Sequence, residues 1–164
     1  MTPTEHWDLV VVGAGPAGAA AALGALAARP GLSVLMLDRA AFPRDKVCGD
    51  GVAPHVLDLL ADVGVTGLVS DRVPVRRLRL RRGEHEVTRQ MQRDAWVVPR
   101  AVFDFRLVDA ACRAGAVLRQ HRVREVRQET ADVRVDGLRA TVVVGADGAH
   151  SVARAATSLP RPRM

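Results

Sequence analysis

Aromatic residues are scarce in this chain, since none of its 164 residues is tyrosine and only 3% are aromatic. Proteins that bind single-stranded nucleic acid stack bases on aromatic side chains, so this composition disfavours that class. Lysine is almost missing too, because arginine supplies 23 of the 24 basic residues and Lys46 is the only lysine. The formal net charge of +6 resides in residues 72–100, which hold nine arginines and three acids, whereas the remainder is balanced. We therefore predict no nucleic-acid partner.

Cysteine is equally sparse, with Cys48 and Cys112 far apart in the sequence. Two cysteines exclude a scaffold held together by disulfides. The five histidines have no spacing typical of metal ligands, so we predict no metal site.

The chain has no long apolar run without interruption. The stretch from Leu9 to Ala28 is broken by Gly13, Gly15, Pro16 and Gly18, and no lysine or arginine precedes it. These features argue against a signal peptide and a membrane span. We predict a cytoplasmic protein and leave contact with the inner face of the membrane open.

A βαβ pattern occupies the first part of the chain. Residues 7–12 form an apolar, β-rich run, an alanine-rich helical stretch extends to about residue 28, and residues 33–37 form a second apolar run. Gly13, Gly15 and Gly18 lie between the first strand and the helix. In a dinucleotide-binding turn the first glycine permits a tight turn, the second lets a pyrophosphate approach, and the third lets the helix pack closely. The alternative is a tightly packed helix that happens to use glycines.

The helix start and the end of the second strand complete this motif. Pro16 and Ala17 begin the helix, whose unpaired N–H groups and positive dipole end would face phosphates. Asp38 follows twenty residues after Gly18, where an acid accepts hydrogen bonds from ribose hydroxyls. The pattern predicts dinucleotide binding but does not distinguish NAD, NADP and FAD, which share an ADP half.

Further strands and helices are predicted along the rest of the chain. Leu78 and Leu80 alternate with arginines, which indicates a half-exposed strand, and an apolar strand leads into Gly145-Ala146-Asp147-Gly148. The predicted helices cover about 54–61 and 102–114, and the predicted strands cover 75–81, 86–90, 96–98, 116–120, 123–128, 133–135 and 140–144. We predict an α/β fold with a Rossmann-like parallel sheet of the FAD/NAD(P)-binding type and an inserted, partial antiparallel sheet.

Four further motifs occur in a fixed order. They are Phe42-Pro43-Arg44-Asp45-Lys46, Cys48-Gly49-Asp50-Gly51, Pro99-Arg100 with Phe103-Asp104 and Leu107, and Gly145-Ala146-Asp147-Gly148 with Ser151 and Arg154. Together they resemble the geranylgeranyl reductases, which belong to the larger p-hydroxybenzoate hydroxylase-like group of FAD enzymes. The match covers Asp8 to Arg154. The loop at 42–51 discriminates best, because related flavin-dependent halogenases share Phe-Pro-Arg but not the Cys-Gly-Asp-Gly continuation.

The resemblance implies a bound FAD whose reduced form saturates double bonds of isoprenoid lipids or quinone-like substrates, with NAD(P)H as a candidate electron donor. The implied FAD contacts are Gly13, Gly15, Pro16, Ala17, Gly18, Asp38, Arg39, Arg44, Lys46, Cys48, Gly49, Arg100, Val123, Asp147 and Gly148. Cys48, Gly49 and Asp50 would lie beside the isoalloxazine, and no catalytic residue is assigned.

Plainer alternatives exist for these residues. Without an FAD role, Cys48 would be an ordinary loop thiol, and Arg44 and Lys46 would be solvated loop charges. Asp147 would then form a turn that binds no ligand. The arginine face of residues 77–81 is interpreted first as a solvated face of a sheet. The alternative is a surface that attracts a phosphorylated lipid head or an anionic membrane.

The length of the chain limits what we expect it to do alone. Members of the resembled family continue with more substrate-domain strands, a Gly-Asp motif and a C-terminal helical region. We therefore expect an incomplete FAD-binding domain over 1–164, with nucleotide-binding parts at about 7–72 and 100–154, the start of a substrate-side sheet at 73–99 and a frayed tail at 155–164. Such a chain would be an FAD-dependent oxidoreductase that is not fully active alone, and it is either truncated or completed by a second chain that supplies the C-terminal half.

Three other functions stay open at this point. The chain is alternatively a non-catalytic FAD- or ADP-binding module, an FAD-dependent monooxygenase or halogenase-like enzyme, or a fragment of an NAD(P)-dependent dehydrogenase.

Overall fold

Two sheets organise the chain in the computed structural model, which describes residues 5–157. The strands are β1 (His6–Val12), β2 (Val34–Asp38), β3 (Gly51–Val52), β4 (Val75–Arg82), β5 (His85–Val97), β6 (Val117–Gln120), β7 (Val126–Gln128), β8 (Val133–Val135) and β9 (Leu138–Gly145). The helices are α1 (Pro16–Ala28), α2 (Pro54–Asp62) and α3 (Arg100–Arg113), and a short 3₁₀ helix spans Ala153–Ala156.

The six-stranded sheet has the order β6-β2-β1-β9-β8-β7. Its first four strands run parallel, and β8 pairs antiparallel with both β9 and β7. The carboxyl ends of β1, β2 and β9 therefore meet at one edge of the sheet. In open α/β sheets ligands bind outside that edge.

The core lies on both faces of this sheet. On one face Val11 and Met36 belong to a buried cluster with residues of α1 and α3, including Leu23 and Leu107. On the other face Val10, Leu35 and Leu37 pack with Val123 and Val135. Burial on both faces explains why β1 and β2 read as continuous apolar runs rather than as alternating ones.

The second sheet has the order β3-β5-β4 and is antiparallel throughout. A bidentate ion pair between Arg93 of β5 and Asp58 of α2, with N–O distances of 2.7 and 2.8 Å, connects this sheet to the first part of the chain. The mostly parallel sheet with a separate antiparallel sheet confirms the predicted fold class. Among residues 5–157 no helix is both long and apolar enough to cross a membrane.

Several local predictions need correction. The strands predicted at 86–90 and 96–98 are one continuous strand, β5, and the strand predicted at 123–128 begins only at Val126. The strand predicted at 75–81 is confirmed as β4, but its predicted half-burial was wrong, because Leu78 and Leu80 are 48% and 61% exposed and no part of the described chain covers their face. In the tail predicted at 155–164, residues 155–156 belong to the 3₁₀ helix, and residues 158–164 lie outside the described part.

Candidate functional site

The glycine turn after β1 packs directly against the turn after β9. Gly13 has a φ of +96°, and a Cβ atom placed on it would lie 2.5 Å from the carbonyl oxygen of Ala146. A Cβ atom on Gly18 would lie only 1.8 Å from the carbonyl oxygen of Gly13. Backbone conformation and close packing therefore require glycine at both positions, as the sequence predicts.

Gly15 is different, because the protein itself does not require glycine there. Its φ of −68° and ψ of −174° suit any residue, and a Cβ atom on it would meet only the Arg44 guanidinium nitrogen, at 3.2 Å. A side chain at Gly15 would thus project into space in front of the turn. That space is where a ligand could approach the backbone.

The start of α1 faces the same space. Gly15 is the N-cap and Pro16 follows as the first helical residue, but no side chain caps this end and the first turn holds no acid. Ala17 in the first turn is exposed. The helix end therefore offers N–H groups and positive dipole potential to an anion.

Asp38 is the last residue of β2 and lies at the same edge of the sheet. It is only 8% exposed, its Oδ2 accepts a hydrogen bond from the backbone N–H of Ala14 at 2.9 Å, and its Oδ1 accepts one from Ala40 at 2.9 Å. A carboxylate has about four lone-pair sites, so each oxygen keeps acceptor capacity for a further donor. The Arg44 guanidinium lies 3.7 Å from Oδ2.

Arg44 is held in place by three groups. Besides Asp38, its NH1 nitrogen donates to Oδ2 of Asp104 at 3.3 Å, and its guanidinium carbon lies 4.9 Å from the centre of the Phe42 ring. This side chain is 18% exposed, so it is not a freely solvated loop charge. It places a positive charge beside Gly15.

Arg100, the first residue of α3, forms a second anchored cation. Its Nε and NH2 nitrogens donate to the two oxygens of Asp104 at 2.6 and 2.8 Å. This pairing raises the pKa of Arg100 above its ordinary value. Asp104 is completely buried.

The loop between β2 and β3 brings Cys48 close to Arg100. The backbone of Asp50 and the guanidinium of Arg100 hold the pKa of this exposed thiol below its usual range. Asp50 has a φ of +57°, and its carbonyl accepts a hydrogen bond from Val98 N–H at 2.8 Å. Gly49 between them is exposed, with nothing within 4 Å of a Cβ placed on it.

Asp147 and Gly148 lie in the turn after β9. Oδ2 of Asp147 accepts hydrogen bonds from the N–H groups of Val152 and Ala153, which organises the start of the 3₁₀ helix. Its Oδ1 is buried without a hydrogen-bond partner among residues 5–157. Lys46 is nearby, since its Nζ lies 3.9 Å from a Cβ atom placed on Gly148.

Two predicted contacts lie away from this cluster. Arg39 follows β2 and is exposed, while its carbonyl accepts a hydrogen bond from Gln120. Val123 is 8% exposed and packs in the core on the opposite face of the sheet. Their roles stay predictions.

Sequence reasoning missed Asp104 as a member of the site. An acid on an otherwise apolar helix face, four residues after Arg100, was the available signal. The arrangement as a whole offers a glycine-lined backbone, a helix N-terminus and two fixed guanidiniums, which suits an extended anion such as a pyrophosphate. In the described part of the chain no group of three or more His, Cys, Asp or Glu side chains could hold a metal ion.

The motifs and fold were compared with known proteins. A family model described as "FAD binding domain" matches residues 6–163. Menaquinone reductase of Mycobacterium tuberculosis is 49% identical over 80 residues, which are 49% of this chain and 19% of that protein. Digeranylgeranylglycerophospholipid reductase 1 of Methanopyrus kandleri is 34% identical over 95% of this chain and 44% of its own length. The chain thus spans less than half the length of either relative.

Solved structures also match most of this chain and less than half of their own length. A geranylgeranyl bacteriochlorophyll reductase-like protein from Thermoplasma acidophilum matches 88% of this chain and 40% of its own, with 26% identity and a TM-score of 0.71. A myxobacterial chondrochloren halogenase, an FAD-dependent halogenase variant, matches 89% of this chain and 38% of its own, with 29% identity and a TM-score of 0.73.

Proposed function

The chain belongs to the FAD-binding domain family, and from this membership we propose that the edge formed by the carboxyl ends of β1, β2 and β9 is its FAD site. The resemblance to the geranylgeranyl reductases and FAD as the cofactor are both confirmed by the family and its relatives. When bound, FAD supplies a ring system that accepts and donates electrons or hydride.

One observation carries the location of the site. Gly15 has an ordinary backbone conformation, and a Cβ atom on it would meet only the end of the flexible Arg44 side chain, at 3.2 Å. No backbone contact of the fold therefore requires glycine at this position. A pyrophosphate that passes close to the backbone gives a physical reason for glycine there.

The other residues have roles that follow from their positions. We assign the start of α1 and Arg44 to the pyrophosphate and Asp38 to the adenosine ribose, because these groups surround Gly15. The Cys48 to Asp50 loop and Arg100 would extend toward the flavin. Lys46 and the free oxygen of Asp147 would contact the middle of the cofactor.

The proposed whole-protein activity is reduction of carbon–carbon double bonds in isoprenoid lipids or quinone-like molecules, with NAD(P)H as electron donor. The names of two relatives, a menaquinone reductase and a digeranylgeranylglycerophospholipid reductase, support this substrate class. A hydride acceptor must be held close to the flavin. Cavities of about 140 and 480 Å³ occur in the described chain. Neither is lined by a residue of the 42–51 loop, which is the loop proposed to extend toward the flavin.

We therefore propose that residues 1–164 bind FAD but do not complete the reaction unaided, and that a second segment or chain completes the site. Purified protein that carries stoichiometric flavin and reduces a polyprenyl substrate would refute this. A halogenase-like monooxygenase is the second candidate, favoured by the fold of the chondrochloren halogenase. Addition of halide, oxygen and an aromatic acceptor to the completed, reduced enzyme separates the two, since only the second candidate transfers halogen to the acceptor.

Contact with the inner face of the membrane is part of the proposal. The exposed β4–β5 hairpin carries most of the arginine excess and presents an arginine face at 77–81, which suits an anionic lipid surface. Sedimentation with anionic vesicles should deplete the protein, whereas neutral vesicles should not.

The site is tested by Gly15→Val. Branched atoms in front of the turn should abolish FAD binding, measured by quenching of flavin fluorescence, and leave the circular dichroism spectrum unchanged. Gly24→Val in the same helix is the matched control, because a Cβ atom there has nothing within 4 Å, and it should bind FAD normally. Normal binding by Gly15→Val would overturn the assignment.

A further inference from the structure

Asp104 is the only charged side chain among residues 5–157 that is completely buried. It projects from the first half of α3 and receives donors from two arginines, Arg100 on the same helix and Arg44 in the loop after β2. Arg100 approaches it with two nitrogens, at 2.6 and 2.8 Å, and Arg44 approaches with one, at 3.3 Å. A buried carboxylate must be paired, and here one carboxylate pairs two cations.

The two arginines reach different parts of the candidate site. Arg44 lies 3.2 Å from a Cβ atom placed on Gly15 and 3.7 Å from Asp38. The Arg100 guanidinium also lowers the pKa of the Cys48 thiol, in the loop before β3. Asp104 is therefore the common anchor of one cation beside the glycine turn and another beside the loop.

Both side chains are long and would otherwise adopt many rotamers. Two guanidiniums close together also repel each other, so without a shared anion each would turn toward solvent. A bidentate carboxylate fixes both the position and the plane of a guanidinium. Cations fixed before binding spare the ligand the entropic cost of ordering them.

We propose that Asp104 is a positioning residue of the FAD site, which holds Arg44 toward the glycine turn and Arg100 toward the Cys48 loop so that both cations are in place before the cofactor binds. This inference rests on the proposed function, although the side-chain arrangement itself can be tested without FAD.

Asp104→Asn in the full chain tests the proposal with two measurements. Loss of a charge-assisted anchor should weaken FAD binding about tenfold or more, as followed by flavin fluorescence. The pKa of Cys48, measured from the pH dependence of its alkylation with the Cys48 peptide identified by mass spectrometry, should rise because Arg100 leaves the sulfur.

The direction of the thiol change separates positioning from simple charge. If Arg100 kept its place without Asp104, removal of the nearby negative charge would lower the pKa of Cys48 further. A lowered or unchanged pKa together with unchanged FAD affinity would overturn the proposal. Asp109→Asn is the matched control, because Asp109 pairs with Arg113 at the same spacing on the exposed side of α3, and it should leave both readouts unchanged.

Arg100→Lys provides a second route if Asp104→Asn does not fold. Lysine retains the charge but lacks the planar fork, so positioning predicts weaker FAD binding and a higher pKa of Cys48. Unchanged values of both would contradict it. If the wild-type chain fails to bind FAD, the proposed function fails, whereas the Cys48 titration still decides whether Asp104 positions Arg100.

Discussion

Gly13, Gly15 and Gly18 require glycine for different reasons. Gly13 and Gly18 are required by the fold, because backbone atoms occupy the positions that a Cβ atom would need. At Gly15 the backbone leaves room for a Cβ atom, so a ligand outside the turn is the proposed reason for glycine there. Substitutions at the three positions should therefore divide into effects on stability and effects on binding.

Gly18→Ala tests the structural half of this division. The added methyl carbon would lie 1.8 Å from the carbonyl oxygen of Gly13, which is backbone and cannot swing away. We expect the free energy of unfolding, measured in urea, to fall by at least about 2 kcal/mol. Gly24→Ala, in open space on the same helix, should instead gain up to about 1 kcal/mol from helix propensity. Equal stability of the two variants would contradict the close contact.

The structural roles of Gly13 and Gly18 were predictable, because local spacing alone encodes them. Asp104 was not assigned to the site, since its partners come from the loop at residue 44 and from the start of α3, and only the fold brings them together. Arg39 and Val123 show the opposite case, because the resemblance implies them as contacts, whereas Arg39 is exposed and Val123 packs in the core on the other face of the sheet.

At the scale of elements, α3 supports the site and is itself fixed to the segment after α2. Arg106 donates to both carboxylate oxygens of Asp71 at 2.8 Å and to the carbonyl of Leu68. Hydrogen bonding from Arg106 lowers the pKa of Asp71 to about 2. This contact connects the helix that carries Arg100 to the middle of the chain.

The Asp71 contact predicts a pH dependence of stability. Because the folded pKa lies below the ordinary value of 3.8, the stabilisation is complete above about pH 4 and is lost as the pH falls toward 2. The free energy of unfolding of the wild-type chain should thus fall more steeply across this window than that of Asp71→Asn. Parallel slopes in urea titrations at pH 5, 4 and 3 would show that the contact contributes nothing.

Elements were predictable where one periodicity prevailed. β1, α1 and β2 were predicted within about a residue of their bounds, because buried parallel strands and an alanine-rich helix give unambiguous patterns. β5 was divided into two predicted strands, because residues 92–94 between them are polar and interrupt the strand pattern, and the register against β4 shifts at the same place.

At the scale of the whole molecule, the six-stranded sheet is covered on both faces, whereas the three-stranded sheet has an uncovered face. The parallel sheet is packed on both faces, while Leu78, Leu80 and Val87 of the β4–β5 hairpin are about half exposed or more. The chain also spans 44% of the length of a relative that it matches over nearly all of its own residues. These facts favour a nucleotide-binding part that works with further structure on the hairpin side.

Competition binding distinguishes whether this chain holds FAD mainly through its ADP half or through its flavin half. FAD is titrated into the full chain, ADP and FMN are then added separately as competitors, and the FAD that stays with the protein after gel filtration is measured by chromatography. We predict that ADP displaces FAD and that FMN does not, because Gly15, Arg44 and Asp38 surround the ADP position. Displacement by FMN but not by ADP, or no binding of FAD at all, would contradict it.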